Sequence, residues 1–271
     1  MTAVFNQQTI TDAIHTKWAG KTVHFVKETA STNQLAKQIV GELPEQETFH
    51  GMLVTAEHQT AGRGRLGRSW LAPAGKCVTM TLLLKPDFAP QYASMLTLVM
   101  GLSVAEAIGK MGLEAWIKWP NDVVVSRKKI CGILTEMSLD GTEIREVAVG
   151  VGINVNLQQI SEEMKEIATS MYLESGKQYD KNQVIAQVLE CFEKNYEIFE
   201  KRCDLRDLME DYNRRLINRG RPVRVLDPQY PFEGTARGIN EQGELLVERE
   251  DGRMEQVRSG EVSVRGLFHY V

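Results

Sequence analysis

Three glycines and three arginines share the run Gly62-Arg63-Gly64-Arg65-Leu66-Gly67-Arg68, with Gln59 before it and Trp70 after it. Glycine lets backbone approach a ligand closely and take positive φ. Arginine offers a planar fork that matches phosphate or carboxylate. The combination suits a loop folded over an anion, with Trp70 placed to cover a flat group. The plainer reading is a solvated basic loop or an RNA-binding tract. A single interrupted copy, in an acidic chain and between apolar runs, favours the anion cradle.

Four other segments carry polar groups in places that invite a ligand. Lys118-Trp119-Pro120-Asn121-Asp122 crowds an ammonium, an amide and a carboxylate at a Pro-marked strand link, where phosphate or a phosphate-bound cation could be held. On its own this reads equally well as a structural turn. Lys129 opens the apolar run Lys129-Ile130-Cys131-Gly132-Ile133-Leu134. A strand-end lysine usually reaches for solvent, but a glycine inside a strand often marks close approach of something else. Gly150-Val151-Gly152-Ile153-Asn154-Val155 puts two glycines on one strand face. Ser31-Thr32-Asn33 are three good helix caps in a row.

The elements that must position these residues follow from periodicity. Helices are expected over 7–18, from Ser31 through Leu43, over 93–111, 161–168, 182–201 and 205–218. Strands are expected over 22–28, 52–56, 77–84, 115–119, 123–126, 129–137 and 145–155, with a turn at Asp140-Gly141. The arginine loop then spans 59–75. After Arg221 the pattern changes to short strands at 222–226, 232–239, 244–248, 254–258 and 262–264, split by tight turns, which suggests a small closed β-barrel. A boundary near 218–220 divides the chain into 1–218 and 219–271.

With 32 Lys+Arg against 36 Asp+Glu among 271 residues, the formal charge is −4, a poor basis for generic nucleic-acid binding. At 42% hydrophobic and 25% charged, the chain can bury a core and is not a disordered one. Cys77, Cys131, Cys191 and Cys203 form no C-x-x-C pair and are read as free thiols, with Cys131 facing the core. The histidines have no zinc-ligand spacing. The N-terminus lacks an apolar leader core, and the apolar run 95–108 is too short and interrupted to span a bilayer. A soluble cytoplasmic protein is the expectation.

Taken in chain order, S-T-N, Q-x-x-G-R-G-R-x-G-R-x-W, K-W-P-N-D, K-I-C-G-I-L-x-E and G-x-G-I-N resemble the biotin protein ligases, over nearly the whole chain from about Thr22. The G-R-G-R-x-G-R element is the most specific of these. The resemblance implies an α+β fold: a mixed β-sheet catalytic domain with helices packed on one side, as in class II aminoacyl-tRNA synthetases and biotin ligases, plus a small C-terminal SH3-like barrel. It implies ATP-dependent formation of biotinyl-5′-AMP, with loss of pyrophosphate, and transfer of biotin to a lysine of a biotin carboxyl carrier protein.

By the same resemblance, Ser31, Thr32, Asn33, Gln59, Arg63, Gly64, Arg65, Lys129, Gly132, Gly150 and Gly152 would contact biotin, the three last-named strand glycines as its floor. Arg65, Arg68, Trp70, Lys118, Asn121 and Asn154 would form the nucleotide side. Lys129, Arg63 and Arg65 would act in catalysis, and Asp122 would help hold Mg²⁺. Biotin, ATP and Mg²⁺ are then substrates and activating ion, with no tightly bound prosthetic group. No Ser–His or Cys–His dyad is needed, because ATP activates the carboxylate.

Only about 20 residues precede the first expected strand, room for one helix and not for the winged helix-turn-helix of repressor-type relatives, so neither repression nor DNA binding is expected. A homodimer through sheet edges is implied, with strand 145–155 the candidate edge. Two alternatives compete: a lipoate or octanoyl protein ligase, which has a different arginine–glycine motif, and a non-catalytic RNA-binding protein, which the acidic balance disfavours.

Overall fold

The computed structural model describes residues 4–44, 46–227, 229–259 and 263–266. The chain runs α1 (Gln7–Ala13), β1 (Val23–Thr29), α2 (Thr32–Glu42), β2 (Leu53–Gln59), β3 (Cys77–Leu84), α3 (Leu96–Lys110), β4 (Ala115–Lys118), β5 (Asp122–Val125), β6 (Lys128–Asp140) and β7 (Glu143–Asn154). It continues through α4 (Met171–Ser175), α5 (Lys181–Glu200), α6 (Met209–Arg215), β8 (Pro222–Leu226), β9 (Phe232–Ile239), β10 (Leu245–Glu248), β11 (Met254–Val257) and β12 (Ser263–Gly266).

Strands β1 to β7 form one sheet in the order β1-β2-β3-β7-β6-β5-β4. Only β1 and β2 run parallel, so the sheet is mixed. Alternation decides its two faces. Val78, Met80, Leu82, Val147, Val149, Val151 and Ile153 join the main core with α3 and α5. Val54, Leu83 and Ala148 point the other way and pack against Ala36 and Val40 of α2. The main helices thus cover one face, and α2 blocks one end of the other. What remains of that second face is a cleft.

α3 is preceded by a 3₁₀ stretch, Pro90–Met95, making a helical run of 21 residues where the sequence suggested a shorter one. It is long and apolar enough to cross a bilayer, but its residues are mostly buried inside the protein, so it is a core helix.

Three expected helices are shortened or lost, each because other elements take their backbone groups. α1 ends at Ala13. The loop after it is gathered by Glu193 of α5, which accepts from the backbone N–H of Lys17, Trp18 and Ala19 at 2.8, 2.7 and 3.0 Å. Residues 161–168 form turns instead of a helix, because this segment must pair with β6: Lys129 N donates to Ile167 O and Thr169 N to Lys129 O. In 205–218 only Met209–Arg215 is helical, since Leu205 N donates to Glu241 O and Ile217 N to Ile117 O.

The 145–155 strand is not a sheet edge. As β7 it lies at the centre, paired to β3 and β6 along most of its length. The edges are β1 and β4, and Ile217 already binds one carbonyl of β4.

The last five strands form an antiparallel sheet, β11-β10-β9-β8-β12. The described residues show no pairing between β11 and β12 that would close it. Val262, the expected start of the last strand, lies outside the described residues. Val223, Val225, Ala236, Ile239, Leu245 and Val247 belong to the same apolar cluster as the main core.

Candidate active site

Every site residue named from the sequence lines one cleft of about 680 Å³ on the α2 face of the sheet. Strand register explains why distant segments meet. Val54, Thr81, Gly150 and Leu134 form one row across β2, β3, β7 and β6. The next row toward β4 reads Ala56, Thr79, Gly152, Gly132, Asp122 and Lys118. The two rows lie two residues apart along the strands, about 7 Å.

The glycines are seats for side chains. A Cβ on Gly150 would lie 2.3 Å from Oδ1 of Asn33. A Cβ on Gly152 would lie 2.5 Å from the Trp70 indole, and one on Gly132 would lie 3.2 Å from it. The expected floor is therefore covered: Asn33 lies over the first row and Trp70 over the second. Trp70 divides the cleft. On one side are Ser31, Thr32, Asn33 and Gln59. On the other are Asn154 and the loop residues Leu157 and Ile160.

The polar end is tightly connected. Gln59 Oε1 accepts from Thr32 N and Oγ1 at 2.8 and 3.0 Å. Thr81 Oγ1 lies 2.8 Å from Thr32 Oγ1 and 2.7 Å from Asn33 Oδ1. Asn33 Nδ2 donates to Leu134 O at 3.2 Å and to Glu136 Oε2 at 2.7 Å. Thr81 was not singled out from the sequence, and Glu136 entered only as the last residue of K-I-C-G-I-L-x-E, with no role given to it. Thr79 and Thr81, alternating in Cys77-Val78-Thr79-Met80-Thr81-Leu82, were the available signal of a polar face on a buried strand.

The charged end centres on Asp122. Lys129 Nζ is 2.5 Å from Asp122 Oδ1, and Lys118 Nζ is 3.9 Å from Oδ2. Burial pulls the Lys118 ammonium down to about 8, with Asp122 opposing and Lys129 adding to the fall. Lys129 also lies 5.5 Å from the Trp70 ring centre. From the arginine loop, Arg65 donates to Asn121 Oδ1 at 3.2 Å and to the carbonyl of Ser259. Burial lowers the Arg65 guanidinium from its ordinary value, and Asp122 opposes this. The loop is itself a small hairpin: Trp70 N donates to Gly62 O and Gly64 N to Arg68 O. A Cβ at Gly62 would meet Trp70 O at 2.5 Å, which accounts for that glycine. Arg63 and Arg68 are exposed on the loop.

Among the described residues no three His, Cys, Asp or Glu gather into a cation site. Among the described residues Asp122 is the only carboxylate in the cleft lining, and it already faces two lysines. The described donor set does not fit a resident Mg²⁺ site. Cys131 faces the core, and burial pushes its thiol well up, away from any nucleophilic role.

Lysines and arginines gather around Asp122, and amide and hydroxyl groups around Gln59, in one cleft, an arrangement that suits a ligand with an anionic end and an uncharged polar end. Comparison with known proteins gives the family. Residues 25–154 match the biotin/lipoate A/B protein ligase family, and residues 220–265 match the biotin protein ligase C-terminal domain. The chain is 32% identical to the biotin–[acetyl-CoA-carboxylase] ligase of Mycobacterium tuberculosis, covering 88% of this chain and 86% of that one. It is 38% identical to the bifunctional ligase/repressor of Bacillus subtilis, over 78% of this chain but 66% of the relative, so it spans just under two thirds of that protein's length. The biotin protein ligase of Aquifex aeolicus, solved with biotin and ATP, superposes with TM-score 0.78 at 33% identity, covering 91% of this chain and 99% of that one. The chain belongs to the biotin protein ligase family.

Proposed function

We propose that the chain is an ATP-dependent, AMP-forming biotin protein ligase. A biotin carboxylate oxygen attacks the α-phosphorus of Mg-ATP and pyrophosphate leaves. A lysine ε-amine of a biotin carboxyl carrier domain then attacks the acyl carbon, loses its proton, and AMP leaves. The observation that supports this reading is the meeting, in one cleft, of a neutral hydrogen-bonding end around Gln59 and a cationic end around Asp122. Two anions must react, and Lys129, Arg63 and Arg65 supply the opposing charge. Asp122 orients Lys129 and holds its ammonium at the reacting end. Asn121 holds Arg65. Trp70 and the 157–168 loop keep water from the acyl-adenylate.

We assign residues 1–218 to activation and 219–271 to a C-terminal unit that closes over the cleft through Ser259, Val264 and Arg265. We assign it to the cytoplasm, a reading that its four free thiols support. We assign it no DNA-binding role. Edge-to-edge dimerisation falls to β1 or β4, the two edge strands among the described strands of the large sheet, of which β4 is already bridged in part by residues 216–217.

Biotin-dependent ATP–pyrophosphate exchange, followed by label transfer to a carrier domain, tests this. Exchange with lipoate and not with biotin would reassign the chain to the lipoate branch. No exchange with either would remove the enzymatic reading.

A further inference from the structure

A carboxylate outside the cleft holds its neutral end in one polarity. Asn33 sits over Gly150 with its amide spanning the sheet row from Thr81 to Leu134. Its shape allows two orientations, with oxygen and nitrogen exchanged. Glu136 stands one row further on, on the same face of β6, and takes Asn33 Nδ2 at 2.7 Å. An ionised carboxylate only accepts, so it admits the amide NH₂ and repels the carbonyl. Leu134 O asks for the same orientation at a longer 3.2 Å.

Glu136 is held in turn. Lys37, one helical turn beyond Asn33 on α2, lies 3.2 Å from its other oxygen. Burial favours the neutral acid, but the Asn33 hydrogen bond, Lys37 and the field of Arg63 leave its carboxyl below the usual range. Asn33 Oδ1 is thereby turned toward Thr81, from whose Oγ1 it accepts at 2.7 Å, and its second lone pair is the acceptor it has left for a ligand. Gln59 spends Oε1 on Thr32, so its Nε2 is the donor. An acceptor and a donor fixed this way match the N–H and the C=O of a cyclic urea.

We propose that Glu136, braced by Lys37, is a positioning residue that fixes the polarity of Asn33 and so sets affinity for the ureido end of biotin. This rests on the ligase reading above. Glu136 lies outside the residues that line the cleft, so its effect is expected on biotin recognition through Asn33 and not on the reacting end.

The test is biotin-dependent ATP–pyrophosphate exchange by wild type, Glu136→Gln, Glu136→Leu and Lys37→Met. In Glu136→Leu the KM for biotin rises about tenfold, as expected for losing a charge-assisted bond, while kcat and the KM for ATP stay within about twofold. The isosteric Glu136→Gln gives a smaller rise in the same constant, and Lys37→Met a smaller one still. Calorimetric Kd values for biotin alone move by the same factors. A KM for biotin within about twofold of wild type in both Glu136 variants overturns the inference, as does an equal rise in the KM for ATP. A wild-type chain without exchange overturns the ligase reading itself.

Discussion

Lys129 joins two demands that a lysine meets and an arginine does not. Its ammonium is a compact charge, 2.5 Å from Asp122, and the same atom would lie 3.2 Å from a Cβ at Gly132. A guanidinium fork is larger and prefers a bidentate partner. Lys129→Ala therefore lowers the rate of adenylation about 10²- to 10³-fold, the scale of losing one electrostatic contact to the transition state. Lys129→Arg recovers only part of that loss. Single-turnover pyrophosphate release measures both, and full recovery by arginine would show that the position needs only positive charge. At this scale the sequence was informative about which residues gather, because the glycine–arginine run has few structural explanations and the strand-start lysine, ordinary alone, gained weight from the segments around it. It was silent on who touches whom. Asn33 over Gly150 and Trp70 over Gly152 are consequences of strand register, and register depends on pairing partners far along the chain.

Among the elements, β7 shows both what was legible and what was not. Its alternate glycines marked a close approach, but the chain gave no sign that β7 sits mid-sheet, where the approaching groups are the protein's own side chains. Gly152→Ala tests that role. The added methyl would sit 2.5 Å from the indole, on a loop that can yield, so the fold survives and Trp70 moves. The expected outcome is a shift in Trp70 emission and a weaker hold on the nucleotide, with thermal stability lowered by no more than about 1 kcal/mol. Unchanged emission and unchanged ATP affinity would contradict the seating of Trp70.

The shortened helices carry a related lesson. Residues 161–168 have helix-forming composition, yet Ile167 O is taken by Lys129 N and the next residue, Thr169, donates to Lys129 O, so tertiary demand overrides propensity. Glu193 does similar work for the loop after α1. Burial alone would raise its carboxyl, but three backbone N–H donors bring it below the ordinary glutamate value. With the folded pKa depressed, the unfolded chain binds more protons as pH falls. The stabilisation is therefore full above the ordinary glutamate range and disappears as pH drops through the folded value. Glu193→Gln should cost about 2 kcal/mol at neutral pH and less in acid, where wild type has already lost the contribution. Denaturant unfolding at pH 7 and pH 3.5 measures it, and an equal cost at both would remove the charge from the explanation.

For the whole molecule, the question is whether the C-terminal sheet is an attachment or part of one core. The change in strand length and turn density after Arg221 made the second sheet legible, but not its docking, because the joining contacts pair residues far apart in the sequence. The Trp119 indole, fully buried, donates to Gly243 O at 3.0 Å. Leu205 N donates to Glu241 O, and Asn213 Oδ1 accepts from Ile239 N at 2.8 Å. Gly243 itself has φ +76, and a Cβ there would lie 2.9 Å from Leu98 and 3.1 Å from Leu205. Alanine at this position meets both the left-handed backbone and two apolar side chains of the large domain, a combined cost of about 2–4 kcal/mol. Because the apolar cluster runs unbroken from α3 into β9 and β10, that cost falls on the whole chain. Gly243→Ala should lower Tm in a single transition, and far-UV signal and Trp119 emission should fall together. It should also raise the rate at which the acyl-adenylate escapes, since Ser259, which holds Arg65 over the cleft, belongs to the same sheet region. Two separated transitions, with only the later strands melting early, would show that the C-terminal sheet folds as an independent unit.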